Sequence, residues 1–285
     1  MKKIIFSLMF IGVLKTLGQE SLNYQIPSKE IYDLVDVSLA PSVVMDDAKD
    51  FMIFLYRDTY KSIEDLSSEE LRLAGLRIDP KTNIGSRITY YNNLKIQDLR
   101  NDPVRLIQVI GLPKKPNLTN IKFSPDQSKI AMTHTTSQGV EVWYVDLSTF
   151  LAKRLTEANA NANLGQVIHW FKDSERLLVK MIPKDRAALI NPKFAIPSGP
   201  TVSVSDGQEA PNRTYQDLLK NKNDEHNFEQ LALSVLHKVS LKGSSLPWLA
   251  SAMYQDISFS PDGEYIMISA IKRPFSYLVP NSRFP

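Results

Sequence analysis

Side chains able to do chemistry are few and scattered along this 285-residue chain. The four histidines are His134, His169, His226 and His237, and there is no cysteine. Zinc needs three or four converging ligands, and a histidine-activated nucleophile needs a partner within hydrogen-bond reach. Histidines so dispersed allow neither to be read, so no metal site and no cofactor are expected. The missing cysteine removes disulfides and thiolate catalysis. His237 falls on the parity of Leu231, Leu233, Val235, Val239 and Leu241. That alternation is a half-buried strand signal, and a packed histidine suits it better than a ligand. His226, beside Asp224 and Glu225, reads as part of a solvated charged loop.

The formal charge is +3, but Lys2, Lys3 and Lys15 lie in an acid-free leader, and the rest of the chain is balanced. No Lys/Arg run long enough to track phosphates occurs, so no nucleic-acid partner is expected. Residues 1–18 have a basic start, an eleven-residue apolar run over Ile4–Leu14 and a small residue, Gly18, before polar Gln19. This is the three-part pattern of a secretory signal peptide, too short to span a bilayer. A periplasmic or secreted protein with no membrane contact after processing is expected; a buried N-terminal element is the plainer alternative. The domain reading is residues 1–18 as signal peptide, 19–40 as an N-terminal segment and 41–285 as one β domain.

The elements that must position any site are mostly short strands. Ser28 can cap a helix through Asp33, and Phe51–Tyr56 is a buried-strand run. Ser67 with Glu70 matches a capping box for a two-turn helix ending at Gly75. Ile88–Tyr91 and Leu94–Leu99 read as strands, as does Val140–Leu147, and Thr214–Asn221 as a helical excursion. Pro183, Pro192, Pro197, Pro200 and Pro211 mark a long insertion between strands.

One pattern recurs. Phe123-Ser124-Pro125-Asp126 and the following Ile130-Ala131-Met132 match Phe259-Ser260-Pro261-Asp262 and Ile266-Met267-Ile268. Weaker copies surround Asp173 and Asp47. The physics is a strand, a tight turn set by Pro and Asp, and a second strand. The aligned aspartates are separated by 79, 47 and 89 residues. One four-stranded propeller blade takes about 40–45 residues, so these spacings fit one and two blades with insertions. The expected fold is all-β: a partial β-propeller of about four blades of a larger ring, with one or two short helical insertions. A closed four-bladed propeller is the alternative.

A set of ordered motifs then resembles a known family. They are Tyr24-Gln25-Ile26-Pro27, Leu73-Ala74-Gly75-Leu76-Arg77-Ile78-Asp79, Ile196-Pro197-Ser198-Gly199-Pro200, Arg213-Thr214-Tyr215-Gln216-Asp217, Arg273-Pro274-Phe275-Ser276-Tyr277 and Ser282-Arg283-Phe284-Pro285. Together they are similar to the N-terminal propeller of the glutamyl endopeptidase branch of the prolyl oligopeptidase family. The resemblance implies that a C-terminal α/β-hydrolase domain follows, carrying a Ser-Asp-His triad in a Gly-x-Ser-x-Gly elbow. These residues contain no such elbow, so no catalytic residue is assigned. The implied function is substrate gating and positioning for an exported serine endopeptidase preferring Glu, with peptide substrate as partner. A stand-alone propeller acting as a binding module is the second reading.

A Glu preference requires a carboxylate receptor, and arginine's planar fork donates two parallel hydrogen bonds. Arg77, Arg87, Arg273 and Arg283 lie in the family-like motifs, and Tyr277 adds a hydroxyl. These five are the candidate substrate-binding residues. The plainer reading is that each arginine ties down a loop by bonding a neighbouring carboxylate.

Overall fold

The computed structural model describes residues 25–100, 103–191, 193–195, 207 and 214–284. The leader read as a signal peptide and the motif at residues 196–200 lie outside the described residues. The chain forms two compact units, Met1–Ser38 and Leu39–Pro285. In the first, helix α1 (Lys29–Val35) starts at Ser28, whose side chain makes no capping bond.

The second unit is built on sheets. Blade 1 pairs β1 (Ser42–Met45), β2 (Phe51–Tyr56), β6 (Asn93–Asp98) and β7 (Leu106–Gln108) in that order. Blade 2 is a plain antiparallel meander of β8 (Leu118–Phe123), β9 (Lys129–Thr136), β10 (Gly139–Asp146) and β11 (Leu151–Arg154). Blade 3 pairs β12 (Ile168–Trp170), β13 (Arg176–Met181), β14 (Ser234–Ser240) and the first half of β15 (Ser245–Phe259). From Met253 onward β15 pairs with β16 (Ile266–Ile271), with a register shift between Tyr254 and Asp256, and opens blade 4. These are the strand order and repetition of a partial propeller.

Each blade uses both faces because its strand residues alternate. On β9, Ile130 and Met132 pack with Ile53, Leu94 and Ile96 of blade 1, whereas Ala131 packs with Ile168 and Val179 of blade 3. On β13, Leu177 and Val179 face blade 2, while Leu178 joins Leu236, Tyr254 and Ile257 at the junction with blade 4.

The repeated turns are the same object four times over. In each, residue i donates its N–H to the carbonyl of i+5, and i+3 donates back to i: Asp46 and Phe51, Ser124 and Lys129, Phe171 and Arg176, Ser260 and Tyr265. The i+3 residue always has positive φ: Lys49, Gln127, Ser174 and Gly263. This corrects the sequence alignment at the first copy by one residue: Ala48, not Asp47, stands in the place of Asp126, and Asp46 in that of Ser124. The reason is chemical equivalence. Asp46 Oδ1 accepts the N–H of Phe51 at 2.8 Å, just as Ser124 Oγ accepts that of Lys129 at 2.9 Å. Successive turns also touch. The Asp126 N–H donates to Ser174 Oγ at 3.1 Å, and a Cβ on Gly263 would sit 2.8 Å from Lys172 Cβ.

Two insertions interrupt the blades. Between β2 and β6 run helix α2 (Ile63–Ser67) and a small sheet of β3 (Leu71–Leu73), β4 (Leu76–Asp79) and β5 (Ile84–Gly85). Between β13 and β14 lies α3 (Lys222–Ala232). The α2 capping box is Ser62 with Asp65, not Ser67 with Glu70: Ser62 Oγ accepts from the Asp65 N–H, and the Asp65 carboxylate accepts from the Ser62 N–H. Ile88–Tyr91 is not a strand; of it, only Tyr91 makes a bridge, to Leu118. The helical excursion read at 214–221 is displaced to 222–232, because Asn221 Oδ1 caps it by accepting from the Asp224 N–H at 2.9 Å. Leu231 therefore belongs to a helix, and the alternation holds only from Ser234 onward.

Candidate functional site

Both insertions meet the segment Arg273–Phe284 around one apolar centre: Leu73, Ala74, Ile78, Leu219, Phe228, Leu231, Phe275 and Phe284. Phe275 and Phe284 stack at 5.7 Å, and Phe228 stands edge-on to both, at 5.2 and 5.9 Å. The β3–β4 hairpin is pinned through its backbone. The Ala74 carbonyl accepts from both the backbone and the side-chain amide of Asn281, each at 2.8 Å, and the Gly75 N–H donates to the Asp217 carbonyl at 2.9 Å. Gly75 has φ +84° and lies against Pro280, where a Cβ would approach to 2.6 Å; this turn needs glycine.

All five candidate residues lie on this lobe, in three groups. Arg77 Nε donates to Asp217 at 2.6 Å. Arg87 Nε donates to Glu70 at 2.7 Å, with Ser86 Oγ donating to the same carboxylate at 2.6 Å. Arg72, which the sequence reading passed over, links the two acids, 2.8 Å from Glu70 and 3.9 Å from Asp217. With Arg87 and Ser86 as its strongest donors, the Glu70 carboxyl is held down at about 2.

The second group centres on Glu225 of α3. Arg273 donates to Glu225 at 2.5 Å and to Glu229 at 2.9 Å, and the Tyr277 hydroxyl donates to Glu225 at 2.5 Å. Burial opposes ionisation of Glu225, but the Lys222, Tyr277 and Arg273 donors outweigh it and hold the carboxyl at about 2. Burial, then the bond to Glu225, pushes Tyr277 up to about 12. Glu225 is thus a buried anchor rather than part of a solvated loop, and neighbouring His226 bonds the Ala188 carbonyl at 3.0 Å. In the third group, Arg283 lies over the Tyr215 ring, 5.2 Å from its centre. The structure therefore joins Arg77 to Arg87 through Arg72, joins Arg273 to Tyr277, and leaves Arg283 apart. Arg77, Arg87 and Arg273 each already hold a carboxylate of the chain itself.

Beside the first group opens a polar cleft of about 740 Å³, lined by Arg57, Tyr60, Lys81, Thr82, Ser86 and Tyr90 among others. Among the described residues no three His, Cys, Asp or Glu side chains converge as a metal site requires. No described helix is long and apolar enough to cross a membrane.

Comparison with family models finds no match. Among curated proteins, a probable chloroplastic glutamyl endopeptidase of Oryza sativa subsp. japonica is 33% identical over 283 residues, covering 94% of this chain and 30% of that protein. Its counterpart in Arabidopsis thaliana is 32% identical over 275 residues, covering 92% and 28%. The chain thus spans less than a third of the length of these relatives. Among solved structures, the acylaminoacyl peptidase of Pyrococcus horikoshii overlaps 86% of this chain and 30% of its own, at 13% identity and a TM-score of 0.42. The β-propeller domain of the trilobed protease from Pyrococcus furiosus overlaps 84% and 65%, at 14% identity and a TM-score of 0.31. Overlaps this loose carry no argument, and the propeller reading stands on the strand order and the repeated turns. Sequence similarity places the chain in the glutamyl endopeptidase branch of the prolyl oligopeptidase family, as a propeller portion of it.

Proposed function

We propose that this chain is the propeller that controls access and positions peptides for a serine endopeptidase of this family, exported by its leader and preferring Glu. In this reading a hydrolase domain outside these residues carries the triad, and the domain limits are those of the sequence reading: leader 1–18, connecting segment 19–40, propeller 41–285. The observation that carries it is the pairing of a blade repeat with 33% identity to a glutamyl endopeptidase across 94% of the chain. A propeller built of blades sealed face to face admits extended peptides but not folded domains. Arg77, Arg87, Arg273, Tyr277 and Arg283 remain the proposed contacts to substrate or to the hydrolase. For the three arginines that already hold carboxylates, a substrate would have to exchange with an internal acid.

The test uses a longer polypeptide that carries both parts. It should cleave short Glu-containing peptides after Glu while sparing the same sequence inside a folded protein. Equal cleavage of both would refute gating, and cleavage without regard to Glu would refute the preference. The terminus of the exported protein, read by N-terminal sequencing, should begin at Gln19; retention of Met1 would refute the leader.

A further inference from the structure

Four arginines of the lobe share one property: Arg72, Arg77, Arg87 and Arg273 each sit on a carboxylate. Arg57, Arg105 and Arg283 form no ion pair among the described residues, but they are exposed and water solvates them. Arg186 is different. It is half-buried, and the only hydrogen-bond partner of its guanidinium among the described residues is the neutral Asn83, whose Oδ1 accepts from an Arg186 Nη. Burial lowers its proton affinity, and it enters no ion pair among the described residues.

A desolvated guanidinium without a counter-charge is unfavourable and persists where something outside the chain can supply the charge. The surroundings are equally unfinished. Asn83 closes a tight turn, donating its N–H to the Asp79 carbonyl at 2.9 Å, and holds φ +57°. Its own carbonyl accepts from the Ala162 N–H at 2.9 Å, which fixes the turn against the strand entering blade 3. On that turn Thr82 is 93% buried, and its hydroxyl has no partner. Thr82 also lines the polar cleft. The turn thus buries a hydroxyl without a partner next to the residue that holds an arginine without an ion pair.

We propose that Arg186, positioned by Asn83 and assisted by Thr82, is a recognition site for a peptide carboxylate. The free N–H groups of the guanidinium fork accommodate both oxygens of one carboxylate. This deepens the peptide-binding reading and rests on it only for the choice of ligand. The measurement is binding to the 285-residue chain, so a failed peptidase assay leaves it standing.

The experiment is calorimetric titration of the chain with acetyl-Ala-Ala-Glu-amide, its Gln analogue, and acetyl-Ala-Ala-Ala with a free terminus. At least one carboxylate peptide should bind, and which one does tells a side-chain acid from a terminal one. The Gln analogue should bind about tenfold more weakly or worse, the scale of one charge-assisted hydrogen bond. Arg186→Gln should lose the same factor, and Arg176→Gln should stay within about twofold, as expected for an exposed arginine already paired, here with Asp173. No binding, equal binding of the Gln analogue, or unchanged binding by Arg186→Gln overturns the proposal. If that variant does not fold, protection of the native chain supplies the answer. Glutarate should slow phenylglyoxal modification of Arg186, followed by mass spectrometry, and absence of protection overturns it.

Discussion

The blades and the inserted lobe hold themselves together by different means. A blade is mostly local: apart from β2 and β6, which pair across the first insertion, each strand pairs with the next in sequence, and the four turns repeat one hydrogen-bond pattern with one left-handed residue. The lobe is non-local. Arg77 reaches Asp217 across 140 positions of sequence, and Asn281 reaches Ala74 across 207. It combines a three-ring aromatic centre with two carboxylates held far below their ordinary range. Repetition therefore builds the frame, and unique long-range contacts build the surface that carries the motifs at 73–79 and 273–277.

The largest test of this contrast is removal of the lobe's centre. Phe228 is fully buried between Phe275 and Phe284. Phe228→Ala should cost about 3–5 kcal/mol, as large-to-small core changes do. In hydrogen exchange, the loss of protection should concentrate in β3, β4 and α3 and spare blade 2. Equal loss across blade 2 would show that lobe and frame are one cooperative unit.

Lys180 tests the frame. It is fully buried in blade 3, and its Nζ makes one long bond, 3.4 Å to the Tyr254 carbonyl. Burial brings its ammonium down to about 7. The unfolded chain takes up this proton near pH 10.4 and the folded chain only near 7, so stability falls as pH drops through that window. Lys180→Met should raise stability by about 2 kcal/mol or more at pH 7 and flatten the pH 7–10 dependence in thermal melts. Unchanged melting would show that the amine is solvated in solution.

In the lobe the pH slope has the same sign, but here the charged form is the stabilised one. Glu225 titrates at about 2 when folded against 4.5 normally, so its contribution is complete above pH 4.5 and lost as pH falls toward 2. Arg273→Ala leaves this carboxylate with fewer donors and should cost about 2–3 kcal/mol at pH 7, most of it absent at pH 2. Arg87 is the small case. It is 60% exposed, and Arg87→Ala should change stability by less than about 1 kcal/mol. A larger loss would mean that the Glu70 cluster holds the lobe closed.

Much of the frame was legible in the sequence, because Pro, Asp and small residues at a turn carry their mechanism in their identity. Phe51–Tyr56 showed as an apolar strand run, and the Ser124 and Ser260 turns showed their register. The first turn was misaligned by one residue because an aspartate there makes the bond that serine makes elsewhere. Helix α3 was misplaced because Leu231 and Leu233 continue an even spacing across a helix end. The candidate arginines were legible as types, but their occupancy was not. Whether a guanidinium is already neutralised depends on residues such as Asp217, far along the chain. Arg186 was missed for the same reason: its distinguishing property is the lack of a partner, which sequence spacing does not show.

The central claim is that this propeller portion recognises peptides while the bond-breaking chemistry lies outside these residues. The most direct measurement incubates the purified 285-residue chain with a Glu-containing chromogenic peptide and a serine-directed fluorophosphonate probe. The account predicts no hydrolysis above buffer and no labelled serine. Turnover that disappears as one serine of this chain becomes labelled would contradict it.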